Sequence, residues 1–285
     1  MKTAKTIAIA SGKGGTGKTT VSTNLAWTAA DRFKSAYLDC DVEEPNGGIF
    51  LKPAIEASKT VHVDVPQVDI SKCSGCGKCG RLCQYSAIAH LGGQNVITFE
   101  NMCHSCGGCM RICPTGAITA KKMEIGTVSH GSAGKLRFAG GLLKLGSVRT
   151  PSLIHEVLAG DTDAELRFVD APPGTSCPVI AAVRGADYVI LVTEPTPFGL
   201  NDLRLAVDMC RALRLDCGLV INNAYGEYVP LDEYVDEQEL EVLGRIEYDR
   251  KIAEAYSRGE MIVDSLPTYG KVFGRILDRV LEHMV

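Results

Sequence analysis

Eight of the twelve cysteines lie between Cys73 and Cys113, in two runs of one spacing. Cys73-x2-Cys76-x2-Cys79-x3-Cys83 is followed, at an offset of thirty residues, by Cys103-x2-Cys106-x2-Cys109-x3-Cys113-Pro114. Three closely spaced thiolates can wrap one iron–sulfur cubane, whereas the fourth, set further along, is carried away by the chain and ligates a second cluster. The spacing therefore predicts two [4Fe–4S] clusters, one on Cys73, Cys76, Cys79 and Cys113 and the other on Cys103, Cys106, Cys109 and Cys83. The Gly-containing intervals Ser74-Gly75, Gly77-Lys78 and Gly107-Gly108 suit loops folded tightly about a metal, with backbone N–H groups directed at sulfide. C-x2-C pairs also hold tetrahedral zinc, which is the competing occupant. Gln84 stands where a proline is usual after the fourth cysteine, which makes the cluster tied to Cys83 a candidate for altered potential or solvent access. His104 lies inside the second run and reads better as an exposed loop histidine than as a ligand.

A second constellation stands near the N-terminus. Gly12-Lys13-Gly14-Gly15-Thr16-Gly17-Lys18-Thr19 fits G-x-x-x-x-G-K-[ST] between a short apolar run and a helical pattern, the context in which this motif cradles phosphates. Gly12, Gly14, Gly15 and Gly17, with Thr16 and Thr20 beside them, let backbone N–H groups turn inward, and the helix N-terminus adds positive potential. Lys18 supplies a point charge to the phosphates, and the Thr19 hydroxyl is suited to ligate Mg²⁺. ATP with Mg²⁺ is the ligand this implies.

Elements that would position these residues can be read from pattern. Lys5–Ala10 is a buried strand, Lys18 to about Asp31 a helix, and Ser35–Leu38 a second strand ending at Asp39-Cys40-Asp41. Strand–helix alternation then stops and resumes at Leu166–Asp170. It continues with a helix from Pro178, a strand at Tyr188–Thr193, a helix over Gly199–Leu213 and a strand at Gly218–Asn222. Leu243–Tyr248 and Met261–Asp264 read as further strands, with a closing helix from Tyr269. Such alternation predicts an α/β fold, a mostly parallel sheet with helices on both faces. The repeated cysteine module falls in the gap, as a small α+β domain of bacterial-ferredoxin type inserted into the larger one. The expected division is residues 1–62 and 121–285 for the nucleotide-binding domain and 63–120 for the insert. Residues 120–150 are expected to form a hairpin or an extended return path.

Composition narrows the class. With 285 residues, 45% of them hydrophobic, the chain can bury one large core beside a small satellite. No basic-then-apolar leader and no long uncharged apolar run is visible, so a cytoplasmic protein without a membrane span is expected. A reducing cytosol leaves thiols free for metal rather than disulfides. The net charge of −4, with both signs interspersed, does not favour nucleic acid as a partner.

Lys13, a second lysine inside the loop, makes the motif resemble the deviant Walker A group of P-loop ATPases, which contains MinD, ParA, the nitrogenase iron protein and the Mrp/Nbp35 iron–sulfur carriers. In that group the corresponding lysine reaches across a nucleotide-sandwich dimer, so the resemblance implies an ATP-dependent homodimer or a dimer with a paralogue. It also implies that Asp41 orients the attacking water, that Asp39 lies near the metal, and that Asp170, before Ala171-Pro172-Pro173-Gly174, holds Mg²⁺ through water. Asn222 falls where the group reads the adenine edge, although Asn223 follows where a lysine is frequent. Cys177, seven residues after Asp170, matches the region where the nitrogenase iron protein holds a bridging cluster. That use needs a second cysteine nearby, and the alternative is a small, partly buried thiol.

Together these segments, with Thr193-Glu-Pro-Thr-Pro-Phe-Gly-Leu-Asn-Asp, resemble MinD-superfamily ATPases carrying an inserted ferredoxin domain. Three uses follow as expectations: ATP-gated electron transfer to a redox partner, assembly or transfer of a metal cluster to a metallocofactor partner, and a MinD/ParA-like positioning ATPase with redox-sensing clusters. An apolar stripe of Val272, Phe273, Ile276, Leu277, Val280, Leu281 and Met284 is expected to pack on the sheet rather than lie on a membrane, because the opposite face carries mixed charge.

Overall fold

The structure is a computed structural model and describes residues 4–160 and 163–284. Lys5–Ala10 forms strand β1, five of its six residues buried, as a strand covered on both faces requires. In chain order there follow α1 (Lys18–Ala29), β2 (Ser35–Asp39), α2 (Gly47–Leu51), β3 (Ala54–Val68), α3 (Lys78–Leu82), β4 (Ile88–His90), β5 (Val96–Thr98), α4 (Gly108–Ile112), β6 (Ile118–Ala133) and β7 (Leu136–Leu143). The chain continues as α5 (Thr150–Leu158), β8 (Leu166–Asp170), α6 (Cys177–Val183), β9 (Tyr188–Thr193), α7 (Pro197–Leu213) and β10 (Cys217–Ala224). It closes with α8 (Val229–Glu237), β11 (Val242–Glu247), α9 (Arg250–Ser257), α10 (Ile262–Ser265) and α11 (Pro267–Glu282).

Among the described residues nine strands share one sheet, in the order β11-β10-β9-β1-β8-β2-β7-β6-β3. The pairs β1–β8, β1–β9, β9–β10, β10–β11, β2–β8 and β2–β7 are parallel. An α/β fold with a mostly parallel sheet is thus the architecture. The chain divides into two compact units. One comprises Met1–Ser58, Val128–Leu142 and Ile154–Val285; the other comprises Lys59–Thr127 and Leu143–Leu153. Compared with the expected insert of 63–120, the second unit starts four residues earlier, runs on along β6 and also takes in the segment after β7.

In the first unit the core is built from the inward residues of the sheet together with α1 and α11, among them Ile7, Leu25, Tyr37, Phe168 and Phe273. The stripe on α11 is buried: Phe273, Ile276, Leu277 and Val280 are at most 1% exposed. Burying each such side chain is worth about 1.5–3 kcal/mol. No helix among the described residues is long and apolar enough to cross a membrane.

Two expectations need correction. Met261–Asp264 is not a strand: Ile262–Ser265 is the short helix α10, and the sheet ends at β11. Three apolar residues followed by an aspartate are too short a run to show a period that separates helix from strand. Here Met261 and Ile262 face the core, and the Asn24 side chain accepts the Val263 N–H at 3.0 Å in place of a sheet partner. The pattern also misses β3, whose first seven residues are exposed and carry no apolar alternation. By contrast, residues 120–150 do hold a hairpin, β6 and β7 joined through Gly134 and Lys135.

The second unit repeats itself in structure as it does in sequence. Each cysteine run begins with a three-residue 3-10 turn, Ile70–Lys72 or Glu100–Met102, and continues into a five-residue helix, α3 or α4. β4 and β5 form a separate antiparallel pair, Ile88 facing Thr98. The buried apolar cluster of this unit is small, Val65 and Ala87 with Cys103, flanked by Val63, Cys83 and Met123.

Candidate functional site

The parallel register gathers residues expected at the nucleotide site. Ile9 pairs with Asp170, and Asp39 pairs with Asp170, so the loop after β1 and the carboxylates ending β2 and β8 meet at one sheet edge. Ligands of open α/β sheets bind outside these carboxyl ends. Two glycines are dictated by space. A Cβ on Gly12 would lie 2.1 Å from the Asp202 carbonyl oxygen, and one on Gly17 would lie 2.1 Å from Asn222 Nδ2. Gly17 also has φ +81°, a left-handed conformation that costs other residues roughly 1–2 kcal/mol.

Lys18 is the centre of the charge network. Its Nζ lies 2.5 Å from Asp170 Oδ1 and 3.8 Å from Asp41 Oδ2. Burial alone would lower its pKa, but Asp170 and then Asp41 and Asp39 outweigh burial and hold it above the usual lysine value. Tyr37 donates to the other oxygen, Asp170 Oδ2, at 2.8 Å. Burial, seconded by Asp170, pushes Asp39 up to about 8, and burial pushes Asp41 up to about 6 against the pull of Lys18. Gly47 N–H donates to Asp39 Oδ2 at 2.9 Å, while among the described residues buried Asp39 Oδ1 has no partner, and neither has the buried Thr16 hydroxyl. Two adjacent buried carboxylates with an orphaned oxygen fit a hard divalent cation, which takes oxygen ligands and offsets their repulsion.

A cleft of about 480 Å³ opens here, lined by Gly14, Gly15, Gly17, Lys18, Thr19, Thr20, Asp41 and Asn222 among others. Gly12, Lys13, Thr16, Asp39 and Asp170 are not in its lining. Asn222 Nδ2 donates to the Thr16 carbonyl at 2.8 Å and so braces the loop as well as facing the cleft. Lys13 points elsewhere, its Nζ 3.7 Å from Glu194 Oε2, and Glu194 in turn accepts from Asn223 at 2.6 Å. Pattern reading missed the far wall, Tyr248, Asp249, Ile252, Ala253 and Tyr256, which follows β11. The available signal was positional: Tyr248-Asp249 ends the last parallel strand at the same sheet edge. Glu44 and Asn46 also line the cleft; they lie in the segment 39–46 that carries part of the family resemblance, which assigns neither of them a role.

In the second unit the two cysteine quartets each line a cavity of their own. Cys73, Cys76, Cys79 and Cys113 line one, with His90, Thr115 and Ile118. Cys83, Cys103, Cys106 and Cys109 line the other, with Tyr85 and His104. Each cavity thus takes three thiols from one run and the fourth from the other. Backbone N–H groups point at sulfur: Gly75 to Cys73 at 3.4 Å, Ser105 to Cys103 at 3.3 Å and Ala87 to Cys83 at 3.3 Å. Among the described residues no three Cys, His, Asp or Glu side chains converge as a single metal ion requires. His104 stacks on Tyr85, ring centroids 3.6 Å apart, a pairing the sequence did not announce. Cys177 is exposed at the start of α6 and belongs to neither cavity.

Residues 7–263 match the CobQ/CobB/MinD/ParA nucleotide-binding domain. The chain belongs to this family. An uncharacterized protein of Methanocaldococcus jannaschii is 30% identical over 263 residues, covering 89% of this chain and 90% of its own. A relative named iron–sulfur cluster carrier protein, from Aquifex aeolicus, is 26% identical over 302 residues, 98% of this chain and 68% of its own. Among solved structures, the septum site-determining protein MinD of Pyrococcus horikoshii, complexed with Mg-ADP, superposes with a TM-score of 0.60. It is 19% identical and covers 97% of this chain and 96% of its own, a likeness of fold. The chain is therefore a MinD/ParA-type nucleotide-binding domain with a P-loop fold.

Proposed function

We propose that the protein is an ATP-hydrolysing iron–sulfur protein, in which a nucleotide-dependent dimer is coupled to electron transfer through two [4Fe–4S] clusters held by an inserted ferredoxin-like unit. The crossed distribution of the eight thiols carries the reading. Cys73, Cys76, Cys79 and Cys113 would hold one cubane, and Cys103, Cys106, Cys109 and Cys83 the other. Single-ion zinc would draw four thiolates onto one point, whereas among the described residues no three such side chains converge as one ion requires, each quartet lines one cavity, and N–H groups turn toward sulfur. Bound cubanes supply one-electron redox chemistry.

At the cleft the chain mainly positions and neutralises, which is what phosphoryl transfer asks of it. Gly12, Gly14, Gly15, Thr16, Gly17 and Thr20 shape the phosphate loop, and Lys18 brings its charge to the β- and γ-phosphates. Thr19, Asp39 and Asp170 would hold Mg²⁺, which neutralises phosphate charge. Asp41, at the cleft wall beside Lys18, orients the attacking water. Asn222 faces the base. Lys13, outside the cleft lining of its own protomer, is the residue available to reach a partner's phosphates once it leaves Glu194.

ATPase rate and dimerisation, measured with the clusters fully oxidised and again after dithionite reduction, test the coupling. The expected result is that both change with cluster oxidation state. A second reading, transfer of clusters to an acceptor, is favoured by the relative named as a cluster carrier. Equal rates in the two states, with iron passing to an apo-acceptor, would select it instead.

A further inference from the structure

Arg149 is 2% exposed, yet no carboxylate pairs with it among the described residues. Its Nη2 donates to the Glu100 carbonyl, while Nε and Nη1 are buried without partners. The same carbonyl accepts the N–H of Cys103 at 3.1 Å, at the end of the 3-10 turn that opens the second cysteine run. The guanidinium is therefore tied to the turn that delivers a thiol to the Cys83/Cys103/Cys106/Cys109 cavity. The acid of Glu100 is not its counter-ion, because Lys121 holds that carboxylate at 3.0 and 3.2 Å.

A buried cation is costly unless an anion sits beside it. A cubane on four thiolates is a net anion, and it takes up one more negative charge on reduction. In the first run the comparable contact is Arg81 Nη2 to the Cys76 carbonyl at 3.1 Å, but Arg81 is exposed and solvent screens it. The two sites thus differ in a buried, unscreened charge.

We propose that Arg149 is the resident counter-cation of the cluster on Cys83, Cys103, Cys106 and Cys109, and that it raises the reduction potential of that cluster. The proposal rests on the two-cluster reading. In the reaction concerned, the oxidised cluster accepts one electron from a low-potential donor; no bond is made or broken, and Arg149 keeps its proton, since a guanidinium does not titrate in the working range.

The test is an EPR-monitored dithionite titration of the anaerobically purified full chain, with iron content measured on each sample. In Arg149→Gln, iron content should hold while one of the two clusters becomes harder to reduce, by at least tenfold in its reduced-to-oxidised ratio at fixed potential, about 59 mV for one electron. Arg149→Lys, which keeps the charge, should stay close to the parent. Unchanged potentials in Arg149→Gln, or an equal shift in both variants, would overturn the proposal. If Arg149→Gln loses iron, retention of iron by Arg149→Lys supports the charge, and loss in both overturns it in favour of a latch that only holds the chain. Absence of iron from the parent protein would instead remove the two-cluster reading.

Discussion

Lys18→Ala is expected to lower kcat for ATP hydrolysis by about 10²–10³-fold, the range seen when one preorganised charge donor is removed from a transition state. The size follows from where Lys18 sits. It is 6% exposed, its ammonium lies 2.5 Å from Asp170 and 3.8 Å from Asp41, and those carboxylates keep it protonated against burial. Lys18 lines the cleft itself, so its removal takes the fixed positive charge from the phosphate site, and water entering the space carries no charge to replace it. The variant also leaves Asp39 and Asp170 as neighbouring buried acids without their cation, so lower thermal stability should accompany the lost turnover. Asp41→Ala should lose turnover while retaining ATP, because that carboxylate lines the cleft wall rather than the loop. Steady-state phosphate release together with calorimetric ATP binding separates the two effects. Unchanged turnover in both variants would displace the active site from this cleft.

Cys79→Ser and Cys113→Ser should each remove one cubane, and the same one. These residues are 34 positions apart in different runs, yet both line the cavity of Cys73 and Cys76. Cys103→Ser should remove the other. Iron content is expected to fall by about half in each, with the EPR signal that survives identical in Cys79→Ser and Cys113→Ser and different in Cys103→Ser. An uncrossed arrangement would instead pair Cys113→Ser with Cys103→Ser. Serine keeps the volume and leaves an alkoxide-poor oxygen in place of a soft thiolate, so the effect reads ligand softness rather than packing.

What the residues announced and what they concealed divide along one physical line. The phosphate loop and the cysteine runs are local: their geometry is written in spacings of a few residues, and Gly17 or Cys76 has meaning at its own position. Asp39, Asp41 and Asp170 were legible because a strand end in a parallel sheet is a place as well as a sequence. Long-range features were not legible. The exposed half of β3 takes its conformation from sheet neighbours far along the chain rather than from its own pattern. Met261–Asp264 was misread because burial against α1 and α11, not alternation, decides a four-residue run. Arg149 reads as a linker residue until the fold brings the Glu100 carbonyl, 49 positions away, to its guanidinium. Lys13 shows the same limit from the other side. Its place in the loop is plain from sequence, but its ion pair with Glu194 belongs to the fold.

The central claim, that one polypeptide joins a nucleotide cleft to a pair of cubanes, is tested most directly by metal analysis of protein purified without oxygen. About eight irons and as many acid-labile sulfides per chain are expected, with a brown colour and negligible zinc. A colourless protein carrying stoichiometric zinc would contradict the account.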